Sequence, residues 1–168
     1  MNRLNTLKVL VVCTGNICRS PTAEALLRHH LESSGLADRI ILDSAGLTGY
    51  HVGDAPSPEA VHCAAARGYD LTGLRARKLT QGDFADFDLI LAMDRGHMQE
   101  LKALCPRQSA CRLALFLEVL PEAGEEVADP YYGTLADYES MLDLIEAAIP
   151  AWIKAFKQDY LAGHGPDH

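Results

Sequence analysis

Four apolar runs punctuate this chain, and after each one apolar residues return at every third or fourth position. The runs are Leu7–Val12, Arg39–Ser44, Phe87–Met93 and about Arg112–Leu117, and they predict strands. The first helical pattern places Ala23, Leu26, Leu27, His30 and Leu31 at i, i+3, i+4, i+7 and i+8, which is one buried face. Ser20 is placed to cap that helix, Pro21 suits its first position, and Gly35 suits its end. Further helices are predicted over about Pro58–Arg67, stopping at Gly68, over about Asp94–Ala103, and over about Leu135–Leu161. In the last of these, Tyr138, Leu142, Ile145, Ile149, Trp152, Phe156 and Tyr160 step by three or four. That stripe reads as core packing, and Pro150 is expected to kink it.

Strands alternating with helices predict a mainly parallel sheet covered on both faces, with ligands bound at the carboxyl ends of its strands. The 168 residues have the length of one domain, with a core over about 7–161 and a short mobile tail at each end. No apolar run approaches the ~18 residues of a membrane span, and no signal-peptide pattern opens the chain. A cytoplasmic location is therefore expected. The five cysteines (13, 18, 63, 105 and 111) are odd in number and lack paired metal spacing, so neither a disulfide framework nor a metal is expected. His29, His30, His51, His62 and His97 read as surface or partly buried residues. A net charge of −8 offers no basic face to nucleic acid or an anionic membrane.

The chemistry concentrates in Cys13-Thr-Gly-Asn-Ile-Cys-Arg19-Ser20, between the first strand and the first helix. A short loop there can turn successive main-chain N–H groups inward, and the helix adds the positive end of its dipole. Arg19 supplies a planar fork that matches two oxygens of a tetrahedral phosphate. The same field favours the ionised sulfur of Cys13. Phosphate beside a thiolate implies phosphoryl transfer to cysteine. A carboxyl must then protonate the leaving oxygen and afterwards activate water, and one group can do both. Asp129-Pro-Tyr-Tyr-Gly133 is the candidate segment: Pro130 pushes Asp129 into an extended shape, and Gly133 permits a sharp turn.

These two motifs together resemble those of the low-molecular-weight protein tyrosine phosphatases. The resemblance continues through Asp43–Gly46, Tyr50–Gly53, Arg75-Ala-Arg77 and Phe87–Asp94, and so spans nearly the whole chain. It implies a three-layer α/β fold, with a four-stranded parallel sheet flanked by helices on both faces, and no metal or other cofactor. It also implies hydrolysis of phosphotyrosine and aryl phosphate esters through a phosphocysteine. Cys13 would be the nucleophile, Arg19 the phosphate clamp and Asp129 the general acid, then base. Thr14, Gly15, Asn16, Ile17, Cys18 and Ser20 would complete the phosphate-binding loop, with Asn16 supporting its shape and Ser20 bonded to the sulfur. Tyr50, Tyr131 and Tyr132 would wall the cleft above Ile17, and Asp94 would be a buried structural aspartate below the loop. A phosphotyrosine protein is the implied partner, a tyrosine kinase among the candidates, with phosphate or similar oxyanions bound in the loop.

The chain departs from the resemblance in places. Tyr50 stands where many relatives carry tryptophan, Ser57 and Glu59 replace an aspartate and an arginine, and Leu74 replaces a histidine of some members. Arginine-phosphate-specific relatives tend to carry threonine where this chain has Ile17, so the isoleucine points to tyrosine. Cys18 reads either as a small buried side chain or as a thiol able to trap oxidised Cys13 in a disulfide. Cys63 and Cys105 read as packing or surface thiols. Two rival functions remain. One is a thiol-dependent arsenate reductase on the same fold, for which Cys105 and Cys111 are the available pair. The other is a non-catalytic phosphate-binding module. A nucleotide-binding P-loop is excluded, because no Gly-x4-Gly-Lys-Ser/Thr run occurs.

Overall fold

The chain alternates β1 (Leu7–Cys13), α1 (Arg19–Ser33), β2 (Ile40–Gly46), α2 (Pro58–Ala65), α3 (Asp83–Asp86), β3 (Leu89–Ala92), α4 (Arg95–Leu104), β4 (Arg112–Leu115) and α5 (Leu135–Ala155). The structure is a computed structural model that describes residues 6–161. Residues 1–5 and 162–168, which fall within the two tails expected to be mobile, lie outside the described residues. All strand pairs are parallel and the sheet order is β2-β1-β3-β4. The chain moves outward from β1 to β2, then crosses back over β1 to β3. The winding direction reverses between β1 and β3, and the crevice beyond their carboxyl ends is where doubly wound sheets take ligands. Cys13 closes β1 at that edge.

Burial explains why β1 lacks a polar face. Leu7, Val9, Val11 and Cys13 join the core beneath α1 and α5, while Leu10 and Val12 join Leu79, Phe84, Ile90 and Leu101 on the opposite face. With both faces covered, strict alternation of apolar and polar residues gives way to a continuous apolar run. The α5 helix packs on α1 and α2. Its stripe is buried from Tyr138 through Phe156, with Tyr160 half-buried, and Trp152 Nε1 donates to the Phe116 carbonyl at 2.7 Å.

The expected elements are present, with informative shifts. The α1 helix starts at Arg19, so Ser20 lies inside the first turn and does not cap it; its hydroxyl is engaged by Asn16 and Cys13 instead. Pro21 accordingly takes the third helical position, where a missing N–H still costs nothing. At the other end, Gly35 at φ +75° brings its N–H to the Glu32 carbonyl and lets Leu36 donate to Leu31, a Schellman closure. The α5 helix runs through the exposed Pro150 to Ala155 and widens into a π-helical turn over Phe156–Leu161. The last strand ends two residues early, because Phe116 and Leu117 are buried from a 3₁₀ turn.

Candidate active site

Between Cys13 and α1 the backbone separates its donors from its acceptors. The carbonyls of Cys13 and Thr14 accept Leu47 N–H and Thr48 N–H, each at 2.9 Å, and the Ile17 carbonyl accepts Ser57 N–H at 2.8 Å. By contrast, the main-chain N–H groups of Thr14 through Cys18 find no acceptor among the described residues. Five successive donors curl at the N-terminus of a 15-residue helix, a concentration of positive potential with Cys13 at its foot. A Cβ at Gly46 would stand 2.9 Å from the Gly15 carbonyl carbon and the Thr14 carbonyl oxygen, so the sheet edge there must be glycine for the loop to fit.

Asn16 fixes this shape. It adopts φ +59°, a left-handed conformation that asparagine tolerates. Its Nδ2 donates to Ser20 Oγ at 2.8 Å and to Ser44 Oγ at 3.0 Å, and its Oδ1 accepts Arg77 N–H at 3.0 Å. Ser44 Oγ donates in turn to Glu24 Oε1 at 2.6 Å. Burial pushes the Glu24 carboxyl up, against the opposing pull of Ser44 and Arg28. Because Ser20 Oγ already accepts from Asn16, its proton is free for Cys13 Sγ, 3.0 Å away.

Arg19 is 3% exposed, and its Nη1 donates to Asp94 Oδ2 and to the Val127 carbonyl, both at 2.9 Å. Its Nη2 has only long contacts, to Thr14 Oγ1 and His97 Nε2 at 3.4 Å and to Asp129 Oδ2 at 3.5 Å. Its Nε has no hydrogen-bond partner among the described residues. One edge of the guanidinium is therefore anchored, and the Nε/Nη2 edge retains donor capacity for two oxygens. Asp94 is less buried than the resemblance implied, its side chain being 24% exposed. It caps α4 through His97 N–H at 2.8 Å. Burial raises the Asp94 carboxyl, but the His97 amide and Arg19 outweigh it and hold the group below its ordinary range.

Asp129 enters from the opposite wall. Its Oδ1 accepts Tyr131 N–H at 3.1 Å, which leaves Oδ2 toward Arg19. The turn that follows closes by Gly133 N–H to the Pro130 carbonyl at 2.7 Å. The left-handed residue in it is Tyr132, at φ +74°, and not Gly133. Gly133 is required for a different reason: a Cβ there would sit 2.9 Å from the Pro130 oxygen and collide with the Asp137 carboxylate. Tyr131 and Tyr132 meet edge to face at 4.3 Å between ring centroids. With Tyr50 they wall a cleft of about 210 Å³ that Cys13, Thr14, Gly15, Ile17, Cys18, Arg19 and Asp129 also line. Tyr50 and Tyr132 stand out into solvent, 87% and 96% exposed.

Cys13, the loop that follows it, Arg19, Asp129 and the three tyrosines thus converge on one cleft, with Asn16 and Ser20 bracing the loop from behind. Cys18 is buried, with Ser57 Oγ and Tyr138 OH each 3.6 Å from its sulfur, and burial raises its thiol. Sequence reasoning missed three residues. Thr48 and His51 line the cleft, and His97, read as a surface or partly buried residue, is 4% exposed between Thr14 and Arg19. Only the sequence proximity of His97 to Asp94 could have hinted at this. Among the described residues no group of His, Cys, Asp and Glu is arranged to hold a metal ion, and no helix is long and apolar enough to cross a membrane.

Comparison with known proteins shows the family. The sequence pattern of the family described as low molecular weight phosphotyrosine protein phosphatase matches residues 8–162. A low molecular weight protein-tyrosine-phosphatase of Streptomyces coelicolor is 38% identical over 157 residues, covering 91% of this chain and 95% of that protein. The crystal structure of a protein tyrosine phosphatase from Entamoeba histolytica superposes with a TM-score of 0.87 at 33% identity, covering 91% of this chain and 98% of the other. The crystal structure of a Drosophila arginine phosphatase superposes with a TM-score of 0.84 at 31% identity, covering 91% and 99%. The chain belongs to the low molecular weight phosphotyrosine protein phosphatase family.

Proposed function

We propose that this chain hydrolyses phosphotyrosine in proteins, with Cys13 as nucleophile, Arg19 as phosphate clamp and Asp129 as acid, then base. The observation that carries the reading is the cradle formed by the loop after Cys13, where five successive main-chain N–H groups find no acceptor among the described residues. The phosphoryl group enters that cradle, and the Nε/Nη2 edge of Arg19 takes two of its oxygens. Sulfur attacks phosphorus in line with the departing phenolic oxygen. As the P–O bond breaks, Asp129 gives that oxygen a proton. Asp129 then removes a proton from water as it attacks phosphorus, the S–P bond breaks, and the thiolate returns with inorganic phosphate. The N–H groups and guanidinium are pre-aimed at charge that builds on the equatorial oxygens, which is where such fixed donors accelerate most.

The cleft's shape supports tyrosine as the substrate residue. Cys13 is 2% exposed at its foot, and the walls are aromatic, so a long aryl phosphate reaches the sulfur where phosphoserine falls short. The fold alone does not separate tyrosine from arginine phosphatases, since neighbours of both descriptions superpose closely. Ile17 supports tyrosine: its apolar side chain, 8% exposed, lines the cleft, where it gives a guanidinium no hydrogen bond. An autophosphorylated tyrosine kinase fits as a partner, and a reducing cytoplasm suits the reactive thiol. The reductase reading finds no support in the position of its cysteines. Cys111 precedes β4 at the amino edge of the sheet, since Arg112 pairs with Leu89 and Leu89 with Val9, four residues before Cys13. At about 3.3 Å per residue that is roughly 13 Å along the strand direction.

The test is hydrolysis of matched phosphotyrosine, phosphoserine and phosphoarginine peptides, with arsenate-dependent thiol consumption measured alongside. Turnover confined to phosphotyrosine is expected. A preference for phosphoarginine, or arsenate reduction, overturns the reading.

A further inference from the structure

Behind the Arg19 guanidinium lies a side chain that the proposed reaction does not use. His97, on α4, is 4% exposed, with Nε2 at 2.8 Å from Thr14 Oγ1 and 3.4 Å from Arg19 Nη2. Arginine nitrogens only donate, so Nε2 must present its lone pair, and the ring proton belongs on Nδ1. Nδ1 lies 3.4 Å from Asp94 Oδ1 without hydrogen-bond alignment. In this arrangement the Thr14 hydroxyl donates to Nε2 and accepts from Arg19 Nη2, 3.4 Å away.

We propose that His97 is a positioning residue, a neutral acceptor that holds Thr14 and the Arg19 Nη2 corner in the orientation that receives phosphate. The inference rests on the reading of Arg19 as the phosphate clamp. Asp94 and the Val127 carbonyl anchor only Nη1, so the guanidinium plane could still swing about that corner. His97 and Thr14 oppose the swing at the other corner, the one that meets the ligand. An imidazolium could not do this, because both of its nitrogens donate and a second cation would face Arg19. Burial and Arg19 favour the neutral ring, holding its pKa down at about 4, against Asp94, Asp129 and Glu126, which pull the other way.

The full chain with His97→Leu, which keeps bulk but has no acceptor, is compared with His97→Gln, whose Oε1 can take the place of Nε2. Three quantities are read: the inhibition constant for inorganic phosphate, kcat and KM for p-nitrophenyl phosphate, and the ¹⁵N NMR spectrum of the His97 ring in the wild type near neutral pH. Losing an acceptor for a charged donor predicts a phosphate inhibition constant raised about tenfold or more in His97→Leu, and within about threefold of wild type in His97→Gln. The ring is expected neutral with its proton on Nδ1. Unchanged phosphate binding in His97→Leu overturns the proposal, as does an equal loss in both variants. If His97→Leu shows no cooperative unfolding transition, the spectrum decides: a proton on Nε2, or a charged ring, overturns it. A wild-type chain that neither binds phosphate nor hydrolyses the ester instead strikes down the reading of the site itself.

Discussion

The main-chain N–H of Arg77 donates to Asn16 Oδ1 across 3.0 Å, and that contact decides which way the Asn16 amide faces. With Oδ1 committed, Nδ2 must point at Ser20 and Ser44, and the Ser20 proton is left for the Cys13 sulfur. A loop 61 residues away in sequence therefore orients a hydroxyl at the nucleophile. The Arg77 side chain holds that loop in turn, bonded to Asp43 and, through two nitrogens, to Asp83.

Asn16→Asp isolates this relay. Aspartate tolerates the left-handed backbone, so strain is not introduced. Two donors become acceptors facing Ser20 and Ser44, and a charge is buried at a position only 2% exposed. Each unsatisfied buried group costs about 1–3 kcal/mol, so a loss of at least that size is expected in urea unfolding. The kcat for p-nitrophenyl phosphate is expected to fall with it. Unfolding and turnover both unchanged would show that the amide does not set the loop.

Cys13→Ser and Asp129→Asn separate binding from chemistry. Neither touches the N–H cradle or Arg19, so calorimetric phosphate affinity is expected to persist in both. Hydrolysis should vanish in the first. In the second, kcat should fall by about 10²–10⁴-fold, with the larger losses for esters of poorly acidic alcohols, because those leaving groups most need the proton. Equal loss for good and poor leaving groups would place the acid elsewhere.

Arg19→Lys keeps the charge but not the fork. Lysine cannot bond Asp94 and the Val127 carbonyl and still offer a planar pair of donors to phosphate. Most activity is expected to be lost, with phosphate inhibition weakened in parallel. A variant near wild-type kcat/KM would mean that point charge suffices.

How much of this was legible from sequence depended on range. The loop and the Asp129 turn could be read because their chemistry lies in adjacent residues, and the strands because parallel sheets bury unbroken apolar runs. The preference of serine for a helix cap is local, whereas the competing partners Asn16 and Cys13 meet Ser20 only once the loop has closed. Gly133 does permit the sharp turn, as its sequence suggests, but through the closeness of the Pro130 oxygen; the left-handed φ falls on Tyr132, which no local preference announces. The α3 helix spans only Asp83–Asp86, too short to show a helical period. His97 escaped notice because its partners, Thr14 and Arg19, lie 83 and 78 residues away.

That same histidine should make stability fall as the solution is acidified. Its folded pKa, about 4, lies below the ordinary 6.5, so between those values the unfolded chain takes up a proton that the folded chain refuses. The contribution is complete above about pH 6.5 and is lost progressively as pH falls to about 4, a total on the order of 3 kcal/mol. His30, also held below its ordinary value by burial and by neighbouring His29, adds loss of the same sign. Asp94, depressed from 3.8, contributes only at still lower pH. Urea unfolding of wild type and His97→Gln across this range separates the terms. Glutamine does not titrate, so the gap between the two curves should narrow or reverse on acidification. Parallel curves would mean that the ring is as easily protonated in the folded chain as in the unfolded one.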